Sequence, residues 1–399
     1  MKLPEAEWQR REGMPRLLDT LGASAGDTRY VGGCVRDTLL GLEASDVDLA
    51  TRLRPEEVIE RLLKARIKAV PTGLAHGTVT AVVGGKPVEV TTLRRDVSTD
   101  GRRATVAYTD DWAEDAARRD FTINALSADP GTGQVHDYFG GEADLLAGRV
   151  RFIGEPLQRI AEDHLRILRF FRFHARFGRG EADAAALEAC TARANDLMAL
   201  SRERIADELL KLLALPDPAP TLRLMVSHGI LKPVLPEIGE DGADRLDALV
   251  PREREAGAEP EPLRRLAALL PSEPETAAAV AARLRLSNKA AKRLAAAAGR
   301  QPGEERAPEI LAYAVGRDAA VDRILLGDGD GAAAARLASW QRPRLLVGGG
   351  MLIQMGLTPG PAVARTLQKI ERDWAAAGFP ADKPRQLEIA RAAVDEALR

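Results

Sequence analysis

The stretch VGGCVRDTLLGLEASDVDLAT, residues 31–51, runs from a β-branched entry through two glycines into a helical pattern, then reaches two aspartates flanking Val47. If "SDVDLAT" is a strand, Asp46 and Asp48 share one face while Val47 and Leu49 share the other. Two carboxylates so placed repel each other unless a cation lies between them. Magnesium suits such a pair, because it takes one or two carboxylates together with substrate phosphates. The same spacing also suits a surface turn or a capping pair, so Asp-x-Asp alone leaves both readings open. Gly32-Gly33 sits between the strand-like and helical runs, where backbone N–H groups can approach phosphate oxygens without a Cβ in the way. A plain tight turn is the alternative. Taken together, the glycines and the acidic pair are parts for metal-assisted phosphoryl or nucleotidyl transfer.

Working outward, "PEEVIERLLKA" reads as a helix with Pro55 in its first turn. "GTVTAVVGGKPVEVTTLR" reads as a hairpin around Gly84-Gly85, with Glu89 between two valines and so on the face opposite to them. Glu89 is either a third acid beside the aspartates or a solvent-facing residue. The charged segment around residues 95–117 reads as a mobile excursion. "AARRDFTINAL" places Arg118, Arg119 and Asp120 before an expected helix. Their forked donors and carboxylate suit a triphosphate and ribose, or else simple helix-start chemistry. "LQRIAEDHLRILRFFRFHARFG" reads as one long helix ending at Gly178. On it Arg166, Arg169, Arg172, Arg176 and Arg179 form a stripe, with Asp163 one turn above Arg166. Asp163 and Arg166 side by side would offer an acceptor and a donor to a nucleobase edge; the other reading is a local surface salt bridge. After Pro156 nearly all segments read as helical, with joints near 215–219, 259–262 and "GRQPGEERAPE".

Composition narrows the classes. At 399 residues the chain needs more than one core. Its net charge of -2 argues against indiscriminate nucleic-acid binding, without excluding a local basic groove. Two cysteines make no disulfide framework and five scattered histidines no His-rich metal centre, which points to a reducing cytoplasm. Apolar runs are too short for a membrane span, and the first residues hold no signal-peptide core.

The ordered set "GGCVRDTLLGLEASDVDLAT", "VEVTTLR", "RRDFTINAL", "DYFGG", "EDHLRILR" and "ERIADELLKLL" resembles the class II tRNA nucleotidyltransferase and bacterial poly(A) polymerase family, over nearly the whole chain. The resemblance implies an α+β fold: a polymerase-β-like nucleotidyltransferase head, a mixed sheet with helices, over 1–149 with a flexible loop at about 95–117. An all-helical remainder would follow as neck (150–214), body (215–302) and tail (303–399). It implies catalytic Asp46, Asp48 and Glu89, with two magnesium ions on Asp46 and Asp48. Gly32, Gly33 and Arg36 would serve the triphosphate; Arg118, Arg119, Asp120 and Asn124 the ribose and phosphates. Glu162, Asp163, Arg166 and Arg169 would select the base, Arg204 and Glu208 would steady the neck, and Asp137–Gly141 would be a hinge. The implied reaction adds CCA to the tRNA 3′ acceptor end from CTP and ATP, by a monomer or weak homodimer away from membranes. The stretch "TGLAHGTVTAV" lacks the glycine–basic–basic–phenylalanine run of the poly(A) polymerases, and residues 95–117 look full-length, unlike CC-only enzymes. Poly(A) synthesis and CC-only or A-only addition are the alternatives. In the tail, Met351 stands where an acidic residue is expected.

Overall fold

A computed structural model of the chain describes residues 1–100, 103–327, 329 and 331–399. Two compact units divide it, Met1–Pro236 and Glu237–Arg399.

Among its described residues the first unit holds nine strands: β1 (Thr28–Val31), β2 (Asp48–Thr51), β3 (Lys68–Gly73), β4 (Thr78–Val83), β5 (Lys86–Thr92), β6 (Arg94–Asp100), β7 (Arg103–Tyr108), β8 (Ser127–Ala128) and β9 (Val135–His136). Seven of them form one sheet in the order β3-β4-β5-β2-β1-β8-β9, while β6 and β7 pair separately. Only β2 and β5 run parallel among these pairs, so the sheet is mixed. The Gly84-Gly85 turn, both residues at positive φ, closes β4 onto β5 as expected. Within the segment read as a mobile excursion, the backbone pairs as the β6–β7 hairpin. Residues 101 and 102 of that segment lie outside the described residues.

Ten α-helices belong to this unit among the described residues: α1 (Met14–Thr20), α2 (Gly33–Leu39), α3 (Pro55–Lys64), α4 (Trp112–Ala117), α5 (Gly141–Ala147), α6 (Pro156–Glu162), α7 (Arg166–Phe177), α8 (Ala184–Ala192), α9 (Arg202–Leu213) and α10 (Ala219–Ser227). α3 packs on β3 and β4, burying Val58 and Leu62. The long helix expected across 157–178 is two, α6 and α7. Asp163 breaks it with an extended backbone, φ -151° and ψ 107°, and its Oδ1 accepts the Leu165 amide at 3.1 Å. Apolar α7 side chains Ile167, Leu168, Phe170 and Phe171 are buried. The rings of Phe121, Phe152, Phe170 and Phe173 pack at 4.8–6.4 Å, fixing α7 against the segment after Arg119.

The second unit is helical: α11 (Glu240–Glu255), α12 (Pro262–Leu269), α13 (Pro274–Arg283), α14 (Asn288–Ala298), α15 (Pro308–Val315), α16 (Arg317–Leu326), α17 (Ala332–Arg336), α18 (Gly349–Gln354), α19 (Pro361–Ala376) and α20 (Lys383–Ala397). Its interior carries an ion network in which buried Asp322 accepts from buried Arg264 and half-buried Arg293, and buried Glu253 from Arg264 and Arg265. Each of these buried charges has a partner, as burial demands. No helix among the described residues is long and apolar enough to cross a membrane.

Candidate nucleotide-binding site

The register Val31↔Asp48 sets the end of β1 beside the start of β2, so the glycine turn and the acidic pair meet. Val47 and Leu49 are buried, which leaves Asp46 and Asp48 facing the other way. Asp46 precedes the strand rather than lying in it, and accepts from Ser45 Oγ at 3.1 Å. In β5, Val88 and Val90 are buried and Glu89 is exposed; the register Asp48↔Glu89 places it next to Asp48. Burial pushes the Asp48 carboxyl up to about 6, helped by Glu89 and Asp46 and opposed by Arg119.

A cavity of about 570 Å³ opens there, lined from one side by Gly32, Gly33, Arg36, Asp46 and Asp48 and from the other by α7. Gly32 has φ +70°, and a Cβ on it would stand 3.0 Å from Arg119 Nη1. Its amide is not free for a phosphate, because it donates to the Leu126 carbonyl at 3.0 Å. The need for glycine at Gly32 is therefore room and backbone geometry. Arg36 is buried; its Nε donates to Asp37 at 2.7 Å, its Nη1 donates to Asn124 Oδ1, and its guanidinium lies 4.2 Å over the Phe177 ring. Burial lowers its pKa, with Asp37 opposing.

No regular helix follows Arg118-Arg119-Asp120; residues Thr122–Asn124 make a single tight turn. Asp120 is not a cap. It accepts from Asn124 Nδ2 at 3.0 Å and from Arg169 Nε at 2.7 Å. Burial alone would raise its pKa, but Arg169 and these donors hold it below the usual carboxylate range. Arg119 lines the cavity, whereas Arg118 turns away onto Asp115 at 2.9 Å, where burial pushes its pKa down to about 10. Arg159 clamps the pair from α6, donating to the carbonyls of Arg118 and Arg119, both at 2.6 Å.

Asp163 and Arg166 both line the cavity, yet they are not partners through their side chains. Asp163 accepts from Arg204 of α9 at 2.8 Å, and Arg166 donates to Glu162 at 2.5 Å. Glu162, like Glu89, is outside the lining. Arg169 and Arg172 approach Glu208 of α9 at 3.7 and 2.6 Å. The stripe ends at Arg176, because Arg179 lies beyond Gly178 and its side chain rests over Gly148. Sequence reading passed over Asp37, Ser45 and Phe173 as lining residues, and Arg159 as a clamp. Asp37 was visible beside Arg36; the other three gave no signal in spacing.

Residues 28–151 match the family model described as Poly A polymerase head domain. Residues 183–241 match the one described as Probable RNA and SrmB- binding site of polymerase A. The chain is 34% identical over 403 residues to the mouse (Mus musculus) protein named CCA tRNA nucleotidyltransferase 1, mitochondrial, covering 96% of this chain and 91% of that one. It is 43% identical over 198 residues to the CCA-adding enzyme of Oceanobacillus iheyensis, covering 49% of this chain and 48% of that one. Among solved structures, the Bacillus stearothermophilus CCA-adding enzyme in complex with CTP superposes with a TM-score of 0.69 at 25% identity, covering 95% of this chain and 98% of that one. The Thermotoga maritima CCA-adding enzyme complexed with tRNA_CCA shares the fold, with a TM-score of 0.68 at 21% identity over 96% and 94% of the two chains. On the identity and coverage shared with the mouse protein, the chain belongs to the family of CCA-adding tRNA nucleotidyltransferases and poly(A) polymerases.

Proposed function

We propose that the chain adds CCA to the 3′ end of tRNA from CTP and ATP, releasing pyrophosphate at each addition. The observation that carries the reading is that a single cavity joins the Asp46–Asp48 pair to the Asp163 and Arg166 side chains. The donor set fits magnesium: two hard carboxylates face the cavity, and the charge on Asp48 is disfavoured there without a cation. Among the described residues no three acidic, histidine or cysteine side chains gather as a metal cage. Asp46 and Asp48 would hold the ion, and Glu89, in register with Asp48, would support the pair through its charge. When bound, magnesium supplies Lewis-acid stabilisation of charge at the α-phosphate and at the departing pyrophosphate.

The residues of the chain supply positioning. Arg36 and Arg119 present guanidinium donors to the triphosphate and ribose, each fixed by a partner, Asp37 and Asp115, while Arg169, held by Asp120, belongs with the base-selecting side chains. Arg118 supports this through its backbone carbonyl, which Arg159 holds. At the far wall, a carboxylate acceptor and a guanidinium donor match the amino donor and ring-nitrogen acceptor that cytosine and adenine share. Uracil and guanine present the reverse pattern at that edge, so Asp163 and Arg166 reject them. Arg204 and Glu162 hold the two in place.

We further propose the fourfold division into head, neck, body and tail, with the tail serving tRNA. We also take the chain to act as a monomer, or at most as a weak homodimer. Two buried free cysteines, Cys34 and Cys190, support a reducing compartment, which we take to be the cytoplasm. The test is pyrophosphate release with CTP as sole nucleotide. The reading requires release with tRNA lacking its CCA end and none with mature tRNA; equal release from both would contradict it.

A further inference from the structure

Asp37 enters the roles above only as the partner of Arg36, yet it lines the cavity itself at 3% exposure. Its Oδ1 accepts from Arg36 Nε at 2.7 Å and Nη2 at 2.6 Å, both within α2. Its Oδ2 accepts from Arg176 Nη2 at 3.1 Å, reaching across to α7. The two guanidinium groups also share the Phe177 ring, at 4.2 and 4.9 Å from its centroid. Arg176 opposes the charge on Arg36, and Asp37 counters that repulsion. One buried carboxylate thus joins an arginine beside the glycine turn to an arginine on the opposite wall.

We propose that Asp37 is a positioning residue that sets the spacing of Arg36 and Arg176, and through them the cavity's hold on the triphosphate. The inference rests on the nucleotide reading above. Two effects of neutralising Asp37 oppose each other. Losing a negative charge would strengthen attraction for any polyanion, whereas losing the shared acceptor lets the two guanidinium groups move apart. The geometry favours the second, because hydrogen bonds to a buried charged partner outweigh a general field that salt screens.

The test measures equilibrium binding of CTP, tripolyphosphate and cytidine to the full chain. For Asp37→Asn the expected result is CTP and tripolyphosphate affinity weakened about tenfold, the worth of one charge-assisted hydrogen bond, with cytidine affinity unchanged. Turnover at saturating CTP should stay within about twofold, so that the loss falls on KM. Arg176→Gln should weaken CTP similarly, and adding it to Asp37→Asn should weaken binding no further. Unchanged or tighter CTP binding by Asp37→Asn, or fully additive losses, would overturn the inference. If Asp37→Asn does not fold, Arg176→Gln decides alone, and unchanged CTP affinity there overturns it. A wild-type chain that binds neither CTP nor tripolyphosphate overturns the nucleotide reading and this inference together.

Discussion

At Asp48 burial and the neighbouring Glu89 and Asp46 carboxylates all push the pKa upward, to about 6 from an ordinary 3.8. A carboxyl whose pKa is higher folded than unfolded binds more protons in the folded state between those two values. Without metal, its contribution to stability is therefore present below about 3.8 and lost as pH rises through about 6. Asp48→Asn should raise the metal-free Tm at pH 8 and lose that advantage by pH 4, a contrast that thermal melts at the two pH values will check. In activity the same substitution, like Asp46→Asn, should remove nucleotide incorporation while leaving tRNA binding intact; incorporation by radiolabelled CTP decides it. Arg166→Ala should relax the choice of nucleotide more than it weakens triphosphate binding, read from the ratio of CTP to UTP incorporation. At this scale the sequence motifs carried Asp46, Asp48, Arg36, Arg119 and Asp120 into one cavity. Partnerships were not legible: Asp163 pairs with Arg204, forty-one positions on, because side-chain pairing across elements leaves no periodic trace.

Among the elements, α5 owes its seat to Gly141. A Cβ there would lie 2.2 Å from the Thr122 carbonyl oxygen, which is backbone and cannot step aside. Gly141→Ala should therefore cost roughly 2 kcal/mol or more in chemical denaturation and displace the turn that bears Asn124. The β4–β5 hairpin was readable because two glycines punctuate two alternating runs. The break between α6 and α7 was not, since the apolar period continues through Asp163 while the side chain bonds the Leu165 amide and Arg204. The same limit applies after Arg119. There an expected helix gives way to one turn, because Asp120 is engaged by Arg169 instead of capping.

For the molecule as a whole, the change from mixed to helical pattern near residue 152 was legible, but it is not where the compact units divide. That division falls between Pro236 and Glu237. The phenylalanine cluster explains the difference, since it fastens α7 to Phe121 and Phe152 and so keeps the first helices with the sheet. Every residue lining the candidate site lies in Met1–Pro236, so a chain ended at Pro236 should still bind CTP, as equilibrium titration would register. Cys34 and Cys190 are both buried, and burial pushes the Cys34 thiol up to about 12. Neither should react with a thiol reagent in the native state, and both should after denaturation. The central claim, template-free completion of a tRNA end, is tested most directly by sequencing the 3′ termini made from tRNA lacking CCA with CTP and ATP supplied together. The account predicts cytidine, cytidine and adenosine, followed by a stop. A long run of adenosines, equally on unrelated RNA, would contradict it.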